Sequence, residues 1–122
     1  LTGKGPYVVD PQRFGIAIGV EADAAVTGNV IDGAPLFGIQ VGWGPFMRDV
    51  TATSNLIRNA PLGIAVSVVE GAGSAVISDN MIAGADKGAV VGMRWEEAAT
   101  GDLALSGAGK FPQLLVERNR VS

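Results

Sequence analysis

The chain has 122 residues, which is the size of one folded domain, so a single continuous core over residues 1–122 is expected. Apolar residues make up 48% and charged residues 17%, with eighteen glycines, which excludes a disordered chain and requires many tight turns. The net charge is −3 and the nine basic residues are scattered, so there is no positive field to neutralise phosphates and nucleic-acid binding is not expected.

With no cysteine, disulfides and thiolate metal sites are excluded. With no histidine, the commonest general base and the commonest metal ligand are missing, so neither a metal nor a cofactor is expected. Apolar runs such as Gly88 to Met93 are too short to span a bilayer, and no charged-then-apolar leader opens the chain. Membrane insertion and an intact signal peptide are therefore not expected.

In chain order, Leu1 to Pro6 reads as a loop leading into Gly15-Ile-Ala-Ile-Gly19, whose upstream partner unit is missing, so the chain is expected to begin partway through a repeat. One unit then recurs: Val26-Thr-Gly-Asn29-Val-Ile31, Ala52-Thr-Ser-Asn55-Leu-Ile57, Ile77-Ser-Asp-Asn80-Met-Ile82 and Val116-Glu-Arg-Asn119-Arg-Val121. The asparagines stand 26, 25 and 39 residues apart, so the last interval is one period plus about 14 residues inserted within Arg94 to Pro112. A second element follows at a fixed offset as Gly38-Ile-Gln-Val-Gly42, Gly63-Ile-Ala-Val-Ser67 and Gly88-Ala-Val-Val-Gly92. A period in the twenties marks a solenoid, whose units bury their apolar faces only by stacking on one another.

The glycine-led segments alternate with period two and are rich in β-branched residues, which predicts short strands. Ile16, Ile18 and Val20 are read as facing in, with Ile39/Val41, Ile64/Val66/Val68 and Ala89/Val91/Met93 as their counterparts. Gly33-Ala-Pro35, Asn59-Ala-Pro61 and Gly84-Ala-Asp86 are turn formers, so each repeat is expected to hold strands and turns alone. The asparagines at 29, 55, 80 and 119 are expected at sharp left-handed turns, stacked about 4.8 Å apart as a structural hydrogen-bonded ladder. Val30, Leu56 and Met81 follow them and should face outward, as an apolar stripe suited to another segment or subunit. A leucine-rich repeat also fits Ala75-x-Ile77-x-x-Asn80, but β-branched residues rather than leucines fill the core positions, and a horseshoe leaves the glycine-led strand unexplained.

The asparagine unit with the glycine-led Gly-Ile-x-Val strand resembles the right-handed parallel β-helix repeat of the pectate-lyase-like superfamily, over roughly residues 14–93 and 114–121. The chain is also similar to the C-terminal part of exported bacterial repeat proteins that carry a twin-arginine signal upstream. The resemblance implies an all-β, right-handed parallel β-helix solenoid of about four to five coils, at residues 14–37, 38–62, 63–87 and 88–122, cut from a longer helix. It also implies an exported, periplasmic or extracellular location.

In that superfamily the substrate lies on the outer face of one sheet, where lyases resemble one another in placing acidic calcium ligands and a basic catalytic residue. Here the outward columns are read as Ala17, Gln40, Ala65, Val90 and Gly19, Gly42, Ser67, Gly92, a bare face to which no catalytic role can be transferred. Polar groups gather instead where the strands end: Glu21 and Asp23, then Trp43, Arg48 and Asp49, then Glu70, then Arg94, Trp95, Glu96 and Glu97, with Asp102 in the insertion. Glu70 and Arg94, in adjacent coils, are close enough to pair as a surface ion pair. The alternative reading is a glycan-binding rim of Trp43, Trp95, Glu70, Arg94, Glu96 and Glu97, in which indole faces stack on sugar rings; an equal expectation is that the tryptophans plug the loops against the coil. Two function classes follow. One is a non-catalytic scaffold that binds a polysaccharide, adjoining coils or another subunit. The other is part of a polysaccharide lyase, hydrolase or epimerase whose catalytic residues lie elsewhere, with Glu70, Glu96, Glu97 and Asp102 the local acid–base candidates.

Overall fold

The computed structural model describes residues 16–95 and 97–122. Strands follow one another in groups of three: β1 (Ile16–Val20), β2 (Ala22–Thr27) and β3 (Val30–Asp32), then β4 (Phe37–Val41), β5 (Arg48–Thr53) and β6 (Leu56–Arg58). The third group is β7 (Leu62–Ser67), β8 (Ala75–Ser78) and β9 (Met81–Ala83). The fourth is interrupted: β10 (Gly88–Arg94) is followed by β11 (Glu97–Asp102) and a one-turn helix α1 (Leu103–Ser106) before β12 (Leu114–Glu117) and β13 (Arg120–Val121). The fold is all-β, as the alternation of β-branched residues requires.

Strands of like rank pair in parallel. The described residues form sheets ordered β1-β4-β7-β10-β11, β2-β5-β8-β12 and β3-β6-β9-β13, in which β10/β11 alone is antiparallel. Parallel neighbours must be joined by a crossover, and here each crossover consists of the strands of the other two sheets. Side chains facing the space between the sheets then stack as columns: Ile18, Ile39 and Ile64; Val26, Ala52 and Ile77; Ile31, Ile57 and Ile82. All nine are fully buried. Burying one such side chain is worth about 1.5–3 kcal/mol, so these columns carry most of the driving force.

Gly38 and Gly63 recur because their sites have no room for a side chain. A Cβ at Gly63 would lie 2.6 Å from the Cγ2 of Ile82 and 2.6 Å from the carbonyl oxygen of Ala89, and one at Gly38 would meet Ile57 and Gly63 in the same way. The strands bend there, so that Phe37 and Leu62 face away from the central core and the next residues, Ile39 and Ile64, face into it.

The register corrects the expected columns at both ends. Ile18 lies opposite Ile39, which puts Ala17 beside Gly38 and buries it in the core instead of on the outer face. In β10, Val90 lies opposite Ile64 and Val91 opposite Ala65, so Val90 faces in, while Val91 and Met93 join an outer cluster with Phe37, Leu62 and Ala65. One extra residue in the turn before β10 is responsible, because a one-residue slip turns every side chain to the other face. Gly15, read as the head of the first strand, lies outside the described residues, as does the loop at Leu1 to Pro6.

The corner between second and third strands is built by the asparagines. The Asn55 Oδ1 accepts from the Asn29 backbone N–H and Nδ2, each at 3.1 Å. Asn80 Oδ1 receives the same pair from Asn55 at 2.9 Å each, and Asn119 Oδ1 receives them from Asn80 at 3.1 and 2.9 Å. The second Nδ2 hydrogen of Asn55, Asn80 and Asn119 goes to the carbonyl of Val26, Ala52 and Ile77 respectively, at 3.0–3.1 Å. The left-handed residue of each corner is the one before the asparagine, namely Gly28, Ser54, Asp79 and Arg118 with φ between +54° and +69°. This departs from the expectation that the asparagine itself takes that conformation. The side chain is needed for the ladder and the preceding residue takes the strain.

Replacing Asn55 with Ala strands donors on Asn29 and acceptors on Asn80 and Val26, so Asn55→Ala is expected to lower stability by about 1–3 kcal/mol. Thermal melts against an exposed control, Lys110→Ala, will read it; a shift equal to the control would remove the ladder from the account. Gly63→Ala adds only one methyl group but should cost about 1–3 kcal/mol through overpacking, measured by urea unfolding.

Candidate functional site

The corner between β4 and β5 is a tight loop. Trp43 is extended and Gly44–Phe46 forms one 3-10 turn with Pro45 at its start, where the missing N–H is harmless. Ser67 in β7 donates through its Oγ to the Gly44 carbonyl at 2.6 Å and fixes the loop to the sheet. At the end of β10, Trp95 adopts φ +56°, a conformation costing a bulky residue about 1–2 kcal/mol, and this turns its ring back over the loop. A Cβ at Gly44 would lie 2.4 Å from that ring, so glycine is what allows the indole to lie against the backbone. Trp43 and Trp95 then meet edge to face, with centroids 5.5 Å apart and planes at 74°.

The paired indoles border two surfaces. A crevice on the outer face of the first sheet is lined by Gln40, Ala65, Ser67 and Met93 together with both tryptophans. A shallow depression of about 440 Å³ is lined by Trp43, Arg94, Trp95 and Glu97. Trp95 is 44% exposed and Trp43 half-buried. Arg94 lies 3.7 Å from the Glu70 carboxylate, and both side chains are exposed. The partly exposed Trp95 indole thus shares a depression with a guanidinium and a carboxylate, next to a sheet face whose central groups are neutral.

The expected rim residues are thus gathered: Trp43, Trp95, Arg94 and Glu97 line the depression, and Glu70 reaches it through Arg94. Glu96 lies outside the described residues. Gln40 was legible as outward-facing but not as part of this crevice, and the role of Gly44 depends on a positive φ that no sequence pattern announces. The outer sheet face is less bare than expected, because Phe37, Leu62, Val91 and Met93 form a second apolar cluster on it.

Asp102 has another task. Its carboxylate accepts from the backbone N–H groups of Ala89 at 2.9 Å, Val90 at 3.0 Å and Ala104 at 3.0 Å. Thr100 Oγ1 accepts from Gly92 N–H at 2.9 Å. Together with β11 these groups satisfy the edge of β10, and the last of the Asp102 bonds caps α1. Among the described residues, no three His, Cys, Asp or Glu side chains form a group able to hold a metal ion, and no helix is long and apolar enough to cross a membrane.

Elsewhere, Val30 and Met81 are exposed and Leu56 half-buried, in register on the third sheet. Ion pairs link adjacent repeats at two left-handed positions: Arg48 bonds the Asp23 carboxylate, and Arg118 bonds Asp79 at 3.0 Å. The hydrogen bond from the arginine holds each of these carboxyls below the usual carboxylate range. A depressed folded-state pKa stabilises above the unfolded value near 4 and is lost as pH falls through the folded one. The contribution of these two pairs should therefore be present at neutral pH and fade as the pH falls below about 4. The Asp23→Asn/Asp79→Asn double variant should lose less on going from pH 6 to 2.5 than the parent, in urea midpoints taken at both pH values. An unchanged difference would show that the pairs do not act.

No protein family, curated protein or solved structure matches the chain.

Proposed function

We propose that the three parallel sheets are the faces of a right-handed parallel β-helix, and that this chain is a non-catalytic module of an exported protein which binds polysaccharide weakly at the Trp43–Trp95 depression. The unvarying strand order from first to second to third sheet supports the helix, and parallel crossovers are right-handed in nearly every known case. Three strands per repeat also favour it over a horseshoe repeat, which contributes one strand and a helical segment. Export rests on the resemblance to the pectate-lyase-like superfamily and to exported bacterial repeat proteins.

The observation that carries the binding reading is the partly exposed Trp95 indole, which lines one depression together with Trp43, Arg94 and Glu97. An indole face takes the apolar face of a pyranose ring, and flanking charged groups take its hydroxyls. Catalysis finds little support among the described residues, since the Asp102 carboxylate is occupied by three backbone donors and Glu70 is paired with Arg94. Each stacked ring contributes about 1 kcal/mol, so the two rings alone give only weak affinity, and millimolar binding, about 4 kcal/mol net, requires ring burial and the flanking polar contacts as well.

Tryptophan fluorescence and calorimetry with neutral and acidic oligosaccharides should give saturable millimolar binding, lost in Trp95→Ala and weakened in Trp43→Ala while both variants keep the parent's circular dichroism. Absence of any response at tens of millimolar glycan would leave the indoles as packing residues. Release of reducing ends or unsaturated products would overturn the non-catalytic assignment.

A further inference from the structure

The loop between β4 and β5 is anchored at its ends by the sheets and in its middle by one side chain. At its start the Gly42 N–H donates to the Val20 carbonyl at 2.7 Å. At its end the Met47 carbonyl accepts from the Gly73 N–H at 2.6 Å, and the Met47 side chain is fully buried. Between these anchors the Phe46 N–H bonds back to the Trp43 carbonyl within the loop itself. Among the described residues, the hydrogen bond that ties residues 43–46 to the body of the protein is the one from the Ser67 Oγ to the Gly44 carbonyl, at 2.6 Å. Ser67 is buried and its oxygen also accepts from the Val69 N–H at 3.4 Å, so the hydroxyl is engaged as donor and as acceptor.

Trp43 belongs to the second repeat and Trp95 to the fourth, and β7 lies between their strands in the sheet. Two strand spacings, about 9–10 Å, separate the ends of β4 and β10. Ser67 stands at the end of β7, in the repeat between the two tryptophans, opposite Met93. The Trp95 ring spans the gap and lies where a Gly44 side chain would be. Trp95 itself is held at φ +56°, a conformation that a bulky residue keeps only where its surroundings enforce it. Here the surroundings are the Gly44 backbone and the Trp43 ring.

We propose that Ser67 is the positioning residue of the indole site: its hydroxyl holds the Gly44 turn in the place that seats Trp95 against Trp43, and a buried side chain thereby sets the geometry of the pair. Without the hydroxyl the Gly44 carbonyl loses its donor and the turn is free to shift. Trp95 then loses its seat, its backbone relaxes toward the extended region, and the rings separate in a fraction of the molecules. The sheet is unaffected, because β7 pairs with β4 and β10 through its backbone. The consequence for ligand rests on the glycan reading above: affinity falls with the fraction of molecules in which the pair is assembled. The consequence for the rings themselves is independent of that reading.

The chain has two tryptophans, so its indole N–H groups give two NMR resonances, and rings this close give a nuclear Overhauser contact between them. Parent and Ser67→Ala are compared first without ligand and then in a titration with neutral and acidic oligosaccharides. Ser78→Ala, the same change at the other buried serine among the described residues, controls for general loosening. Ser67→Ala is expected to lose the contact between the rings and to bind glycan about three- to tenfold more weakly, with the strand amide resonances of the parent retained. Ser78→Ala is expected to keep the contact. A contact that survives in Ser67→Ala, or is lost equally in Ser78→Ala, would overturn the proposal, as would unchanged glycan affinity in a variant that has lost it. A parent that binds no glycan would end the glycan reading, and the ring contact would still decide the role of Ser67. Should Ser67→Ala not fold, Ser67→Cys, which keeps the size and weakens the donor, takes its place: a diminished contact supports the proposal and an undiminished one overturns it.

Discussion

Among the described residues, successive corners are joined by an amide oxygen, that of Asn55, Asn80 or Asn119, which accepts two hydrogen bonds from the asparagine one repeat earlier. The constraint is geometric. Parallel strands in neighbouring repeats must hold the same register on both sides of a corner, and the asparagine bonds lock that register with donors and acceptors that are themselves spaced by the strand separation. Buried amides are costly when incompletely bonded, yet Asn55 and Asn80 have every side-chain hydrogen and oxygen engaged. The isoleucine columns supply most of the energy, and the ladder determines which residues face one another.

From the same constraint comes the position of the indole site. With the second and third strands held by the ladder, the corner between the first and second strands is free to vary in length and composition. It holds the Gly44 turn in one repeat and the β11–α1 insertion in another. Trp43 and Trp95 come from these two corners, two repeats apart, and meet because Trp95 turns back over Gly44. Variable loops carried on an invariant frame are where binding groups are usually found.

The repeat period, the strands and the asparagine positions are legible in the sequence because each reflects a chemical demand on side chains: β-branched residues at buried alternate sites, an amide at the corner, a glycine where Ile57 or Ile82 crowds the backbone. What is not legible is backbone-driven. Val91 and Met93 were assigned to the wrong face because a one-residue change in the preceding turn has no composition of its own. The left-handed residue could not be placed at Ser54, Asp79 or Arg118, since these share no side-chain property that favours such a conformation. For the rim, the gathering of charged and aromatic residues at strand ends is visible in the repeat alignment, whereas the stacking of Trp95 on Gly44 depends on two positive φ angles.

Between Asn80 and Asn119 the chain runs 39 residues instead of 25, yet their amides approach as closely as those of Asn55 and Asn80, at 2.9 Å. Loop-closure entropy grows only with the logarithm of length, so the longer route costs about 0.4 kcal/mol more than the shorter one. One short strand and one helical turn within it suffice to offset that. Sequence grafted into the corner after a first strand is thus nearly free of thermodynamic penalty, while one residue added between a second strand and its asparagine would break the ladder. The architecture separates positions where chain length can drift from positions where it cannot, which lets new surface be acquired without renegotiating the core.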